Sequence, residues 1–175
     1  MMGVMYVIKC AKCGYKLYVT EGVGMMASSP NAVFYGKPSG NKQRWSVAFP
    51  DGLYEYGKPL LLDLVESKSI KDRAFALIKS GAEPETYGHE LYICPKCKRL
   101  ANLFYFKLKS PTQEYEPDYH CLHCQSSLLM VSLRERKDGK IKLIYKDNQN
   151  GEWRCPECGA ENFEFTEGGF AGDWD

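Results

Sequence analysis

The 175-residue chain is 44% hydrophobic and carries a formal net charge of +1, so it can form one ordinary domain or two small ones. It has no run of about twenty apolar residues, which excludes a membrane-spanning helix. Its first residues lack the pattern of a signal peptide, so we expect a cytoplasmic protein. Residues 1–109 hold sixteen Lys and Arg against nine Asp and Glu, and residues 110–175 hold seven against thirteen. This balance disfavours phosphate binding by the whole surface but leaves a basic N-terminal part.

The N-terminal region is predicted to begin with a hairpin and to continue as a long loop. Apolar residues alternate with others in residues 4–9 and 15–20, on either side of the first cysteine turn, as in two paired strands. Residues 28–58 are rich in Gly, Pro, Ser and Asn and predict a loop or insertion, with short strand-like runs at 32–35 and 45–49.

Two helices are predicted next, at about 59–67 and 69–80. The first begins with proline, which suits a first helical turn. The second has Ser69 as its predicted N-cap, with Asp72 three residues further on. Gly81 follows it and predicts a left-handed stop.

The remaining elements are predicted to be strands, at residues 90–93, 103–108, 127–134, 140–146, 152–154 and 162–166. Asp138 and Gly139 predict a two-residue hairpin turn. Residues 168–175 contain three glycines and no periodicity, and we expect a flexible acidic tail.

The eight cysteines form four C-x2-C pairs with none left over: Cys10 and Cys13, Cys94 and Cys97, Cys121 and Cys124, and Cys155 and Cys158. One such turn supplies two sulfurs to an ion, and two turns complete the tetrahedron that Zn2+ accepts. Close pairs without an export signal favour metal thiolates over disulfides. The sequence therefore predicts two structural Zn2+ ions with closed coordination spheres.

The residue after each cysteine turn often needs a positive φ, which glycine adopts without strain. Gly14 and Gly159 occupy this position in two turns, whereas Lys98 and Gln125 occupy it in the other two and suit a positive φ less well. The four turns resemble the knuckles of zinc-ribbon (rubredoxin-like) proteins, including uncharacterised bacterial double zinc ribbons: Cys10-Ala11-Lys12-Cys13-Gly14, Cys94-Pro95-Lys96-Cys97, Cys121-Leu122-His123-Cys124 and Cys155-Pro156-Glu157-Cys158-Gly159. The resemblance implies metal binding on short antiparallel strands, and it does not specify a function.

Four pairs can form two sites in three ways. Adjacent pairing gives site 1 with Cys10, Cys13, Cys94 and Cys97, and site 2 with Cys121, Cys124, Cys155 and Cys158. Nested pairing joins the two middle pairs across 23 residues and the two outer pairs with each other. Interleaved pairing would cross the connections. We predict adjacent pairing, because the helices of an insertion could cover the sheet and because the Gly14-Tyr15 and Gly22-Val23-Gly24 segments resemble bacterial proteins that pair their first two knuckles. Nested pairing remains the alternative.

A catalytic role is not predicted, because four thiolates leave no open metal position and no small-molecule site is evident. His120 and His123 adjoin cysteines but are not needed as ligands. Thiol redox chemistry or zinc-release sensing is a disfavoured alternative, since redox C-x2-C turns usually begin helices. Spacing alone does not distinguish zinc from iron.

The sequence predicts an α+β protein made of tandem zinc ribbons: residues 1–109 with the inserted loop and helices, and residues 110–167. We expect a non-catalytic module for a protein partner that the sequence does not identify. The alternative is nucleic-acid binding by basic groups of the N-terminal part, with Lys42, Arg44, Lys96 and Arg99 as candidate contacts.

Overall fold

A computed structural model of the chain describes residues 4–24, 26–37, 57–135, 137, 140–146 and 149–167. The strands are β1 (Val4–Cys10), β2 (Lys16–Glu21), β3 (Glu83–Ile93), β4 (Leu100–Lys109), β5 (Glu114–Tyr115), β6 (Leu129–Glu135), β7 (Ile141–Tyr145), β8 (Asn150–Glu152) and β9 (Phe163–Glu167). The helices are a 3-10 turn (Met26–Ser28), α1 (Pro30–Tyr35), α2 (Leu61–Leu64) and α3 (Lys68–Lys79). This mixed content is compatible with the predicted α+β class. Within the described ranges, no helix is long and apolar enough to cross a membrane.

The strands form a three-stranded sheet in the order β2-β1-β9 and a six-stranded sheet in the order β5-β4-β3-β6-β7-β8. In the smaller sheet, β1 is antiparallel to both neighbours, and Cys10 lies opposite Phe163 of β9. In the larger sheet, β3 is antiparallel to β6, and Ile93 lies opposite Leu129. The smaller sheet therefore brings an N-terminal strand beside a C-terminal one.

The chain divides into two compact units, and both are built from separated segments. The first contains residues 1–22, 89–103 and 118–174, and the second contains residues 23–88 and 104–117. This division differs from the predicted boundary between residues 109 and 110. All eight cysteines lie in the first unit and the helices lie in the second.

The core of the first unit is formed by strand residues that alternate in burial. On β1, Tyr6, Ile8 and Cys10 are buried while their neighbours are partly exposed. These residues belong to a cluster with Val19, Leu91, Ile93, Leu100, Val131, Ile141, Leu143, Trp153, Cys155 and Phe163. Each fully buried aliphatic or aromatic side chain contributes roughly 1.5 to 3 kcal/mol. Two cysteines are thus part of the packing as well as metal-ligand candidates.

The core of the second unit is rich in aromatic contacts. Phe34 of α1 packs edge-to-face against Tyr87, with ring centroids 5.4 Å apart, and against Phe106 at 6.0 Å. On α3, the buried residues are Ile70, Ala74 and Leu77, which recur at the spacing of one helical face.

Helix α1 corrects the predicted strand-like run at residues 32–35. Pro30 occupies the first turn, and Gly36 ends the helix with a φ of 64°. Consecutive apolar residues resemble a buried strand, but here Ala32, Val33 and Phe34 all pack inward from a helical turn. The start and stop signals were therefore more informative than the apolar run.

The two predicted helices are present, with different limits. The helix predicted at 59–67 is only the single turn of α2, because Val65 is extended. The N-cap of α3 is Ser67 instead of Ser69, and its Oγ accepts a hydrogen bond from the Ile70 N–H at 3.4 Å. Gly81 has a φ of 94°, as its predicted left-handed position requires.

Most of the predicted strands after residue 82 are present, and β3 is longer than expected because it begins at Glu83. The run predicted at 152–154 is not a strand beyond Glu152, since β8 spans Asn150–Glu152. Strands β6 and β7 pair as the predicted hairpin. Asp138 and Gly139, the run at 45–49 and the tail at 168–175 lie outside the described residues.

Candidate metal centres

The eight cysteines form two four-sulfur groups, and within each group all Sγ atoms lie within 4.8 Å of one another. We call Cys10, Cys13, Cys155 and Cys158 the terminal cluster. We call Cys94, Cys97, Cys121 and Cys124 the central cluster. The two groups can hold metal ions, as the sequence predicted.

The membership of the clusters corrects the predicted adjacent pairing, because the structure has the nested arrangement. Pairing of β1 with β9 places the first knuckle beside the last, and the Ala11 N–H donates to the Asn162 carbonyl at 3.1 Å. Pairing of β3 with β6 brings the second knuckle to the third. The sequence signal was the short spacer of 23 residues between the middle pairs.

All four knuckles share one backbone conformation. In each, the residue after the second cysteine donates its N–H to the carbonyl of the first cysteine; these donors are Gly14, Lys98, Gln125 and Gly159, at 2.8 to 3.0 Å. The φ values of the four residues lie between 57° and 75°. Lys98 and Gln125 therefore adopt the left-handed conformation that was expected to suit them less well.

The sulfur separations fit a metal ion better than a disulfide. Between knuckles, Sγ atoms lie 3.6 Å apart for Cys10–Cys158 and for Cys13–Cys155. The central cluster has 3.3 Å for Cys94–Cys124 and 3.5 Å for Cys97–Cys121. A tetrahedral Zn2+ with bonds of about 2.3 Å separates its sulfurs by about 3.8 Å, whereas a disulfide needs about 2.05 Å. Each donor set therefore has nearly the size of a four-thiolate zinc site.

Hydrogen-bond donors make several of these sulfurs good thiolates. The Ser126 hydroxyl, 3.4 Å from Cys124 Sγ, and the Ser126 N–H lower the pKa of Cys124 to about 6. The N–H groups of His123 and Cys124 lower the pKa of Cys121. The thiolate is the form that binds metals, so these donors favour metal binding.

Other sulfurs resist ionisation because they are removed from water and share hydrogen bonds with neighbouring sulfurs. The Arg99 N–H lowers the pKa of Cys97, but burial and the hydrogen bonds with Cys94 and Cys121 outweigh it and raise the pKa to about 11. A group of four sulfurs thus holds few negative charges by itself. A divalent cation would compensate the negative charge of the buried thiolates and allow all four sulfurs to ionise.

The first cysteine of every pair is buried, and the second is more accessible: Cys13 is exposed, while Cys97, Cys124 and Cys158 are partly buried. Knuckle tips lie further out, and Leu122 is 87% exposed. Each cluster is therefore anchored on the core side and reaches the surface on the other.

The four basic residues predicted as nucleic-acid contacts lie in different environments. Lys42 and Arg44 lie outside the described residues. Lys96 is exposed on the second knuckle. The Arg99 guanidinium lies 3.1 Å from a Glu157 carboxylate oxygen, so it forms an ion pair within the chain.

Two residues near the clusters were not anticipated from the sequence, Trp153 and Glu157. Trp153 is 1% exposed and donates its indole N–H to the Lys98 carbonyl at 3.0 Å. The available signal was its position two residues before Cys155. His120 is exposed, and its Nε2 lies 3.4 Å from the Ser127 hydroxyl.

Comparisons with protein-family models, with curated proteins and with solved structures find no match to this chain.

Proposed function

We propose that this chain is a non-catalytic zinc-binding protein, a double zinc ribbon whose two Zn2+ ions are structural. The observation that carries the proposal is the closed set of four sulfurs in each cluster, all within 4.8 Å. Four thiolates complete a tetrahedron and leave no position for water or a substrate, as in structural zinc sites. The repeated knuckle conformation supports the ribbon architecture, and the metal would provide stability that short strands lack.

Metal analysis combined with thiol titration tests this structural role. We expect two zinc ions per chain and eight thiols that react slowly until a strong chelator is added. Cys13 is the exposed sulfur, so it should react first if it does not bind metal. A coloured iron protein, one metal per chain, or fast reaction of Cys13 without loss of zinc would contradict the proposal.

The surface that we propose for a protein partner includes the tip of the third knuckle. Leu122 is 87% exposed there, and the neighbouring His123 is exposed too. A rigid turn that presents a large apolar side chain can insert it into a partner's pocket with little loss of backbone entropy. This arrangement supports an interaction module more directly than a phosphate-binding surface, because Arg99 is engaged by Glu157.

Affinity capture with matched variants tests the partner proposal. Leu122→Ser should lose a partner that the wild type retains, whereas Tyr18→Ser, which changes a side chain 63% exposed on β2, should retain it. Equal capture by all three chains would contradict this surface. Recovery of RNA or DNA that dissociates with increasing salt would support the nucleic-acid alternative instead.

A further inference from the structure

Trp153 supports the terminal cluster through the faces of its indole ring. It lies two residues before Cys155, and its ring stacks on Phe163 with centroids 4.5 Å apart and planes at 17°. Phe163 lies opposite Cys10 in the pairing of β1 with β9. The ring therefore packs between segments that carry both knuckles of the terminal cluster.

The edge of the same ring supports the central cluster. The indole Nε1–H donates to the Lys98 carbonyl at 3.0 Å. Lys98 closes the second knuckle, since its N–H donates to the Cys94 carbonyl at 3.0 Å and its φ is 60°. Displacing the knuckle would leave a buried N–H without its acceptor, which costs free energy.

A second connection joins the same two knuckles nearer the surface. Arg99 and Glu157 are 3.1 Å apart, with side chains 37% and 48% exposed. Glu157 lies between Cys155 and Cys158, and the Arg99 carbonyl accepts the Cys94 N–H at 2.9 Å. Ion pairs this exposed contribute little, so the buried hydrogen bond of Trp153 is the stronger of these two connections.

We propose that the two clusters bind their metal ions with positive coupling and that Trp153 is the positioning residue that carries most of it. The proposal rests on the proposed zinc binding. An ion in one cluster fixes the knuckles of that cluster and hence the position of Trp153. The knuckles of the other cluster then lose less conformational entropy when the second ion binds. By linkage, each ion raises the affinity for the other by the same factor. The net value of one hydrogen bond corresponds to about fivefold.

The coupling can be measured as zinc affinity in full-length chains. Cys97→Ser together with Cys124→Ser blocks the central cluster, and chelator competition then gives the zinc affinity of the terminal cluster. We expect the block to weaken terminal binding about fivefold in the wild-type background and less than twofold with Trp153→Phe, which keeps an aromatic ring but removes the donor. Equal weakening in both backgrounds would overturn the role of Trp153, and no weakening would overturn the coupling.

A control and a second readout separate this proposal from a general loss of stability. Tyr6→Phe removes a hydrogen bond to Glu21 that lies within the β1–β2 hairpin and does not join the two clusters, and the fivefold effect should persist. If the blocked chains fail to fold, native mass spectrometry of unblocked chains at half zinc removal should show more one-zinc chains with Trp153→Phe than in the wild type. An unchanged one-zinc share would overturn the role of Trp153. Wild-type chains with fewer than two zinc ions would instead contradict the proposed function.

Discussion

Serine substitution of single cysteines tests which knuckles share an ion. Cys13→Ser and Cys158→Ser should each remove the ion of the terminal cluster and leave one zinc per chain in the central cluster. Cys97→Ser and Cys124→Ser should remove the other ion, because the sulfurs group in this way.

Beyond the loss of the ion, the destabilisation caused by each serine substitution should depend on how deeply the cysteine is buried. Cys10 is 1% exposed and belongs to the core, whereas Cys13 is exposed. Both substitutions remove one ligand of the same ion, but Cys10→Ser also buries a hydroxyl at a cost of about 1 to 3 kcal/mol. At about 2 to 4 °C per kcal/mol for a chain of this length, Cys10→Ser should unfold at least 2 °C below Cys13→Ser.

The assay combines elemental analysis with thermal unfolding followed by circular dichroism. The residual ion can be assigned by adding a second substitution: Cys13→Ser with Cys158→Ser should still retain one zinc, whereas Cys13→Ser with Cys97→Ser should retain none. The reverse pattern would refute the nested arrangement. Equal unfolding temperatures for Cys10→Ser and Cys13→Ser would refute the reasoning about burial.

Three further predictions concern the backbone and the surface. Gly36→Ala should destabilise the protein by about 3 kcal/mol, because φ is 64° there and the added Cβ would lie 2.6 Å from a backbone atom. Gly81 also has a positive φ but faces open space, so Gly81→Ala should cost only about 1 kcal/mol. Equal losses of stability in denaturant titration would contradict the steric argument. Lys98→Gly should stabilise by about 0.5 to 1 kcal/mol, because it relieves a left-handed lysine and keeps the carbonyl that Trp153 binds; a lower unfolding temperature would oppose this. Hydrogen bonds from Lys107 and Lys109 hold the pKa of Glu85 below its usual 4.5, so the stability that these ion pairs contribute is present above pH 4.5 and is lost as the pH falls further. The difference in stability between the wild type and Glu85→Gln should therefore shrink in acid, and a difference that stays constant with pH would contradict this prediction.

The sequence predicted the knuckles well because their geometry is local. Each C-x2-C turn is closed by hydrogen bonds between near neighbours, such as the Gly14 N–H to the Cys10 carbonyl at 2.9 Å. The alternation of apolar and polar residues also predicted the strands on either side of the first knuckle, at residues 4–9 and 15–20. Lys98 and Gln125 adopt positive φ despite their side chains, because the same turn must be closed.

The pairing of knuckles was predicted wrongly because it depends on strands that are distant in sequence. Cys13 and Cys155 of the terminal cluster lie 142 residues apart in sequence, and they meet through the pairing of β1 with β9. Local signals also compete, since both Ser67 and Ser69 are suitable caps and the structure uses Ser67. The role of Trp153 likewise depends on the carbonyl of Lys98, which is 55 residues away in sequence.

The nested arrangement has a consequence for synthesis of the chain on the ribosome. The central cluster joins Cys97 to Cys121 across 24 residues, whereas the terminal cluster joins Cys13 to Cys155 across 142. Closing the longer loop costs about 1.6 kcal/mol more in chain entropy. The first cysteine pair to be made must therefore wait as free thiols until the last pair emerges, while the two middle pairs can already bind an ion. A nascent chain stopped before Cys155 would hold one complete centre and an N-terminal strand without its partner.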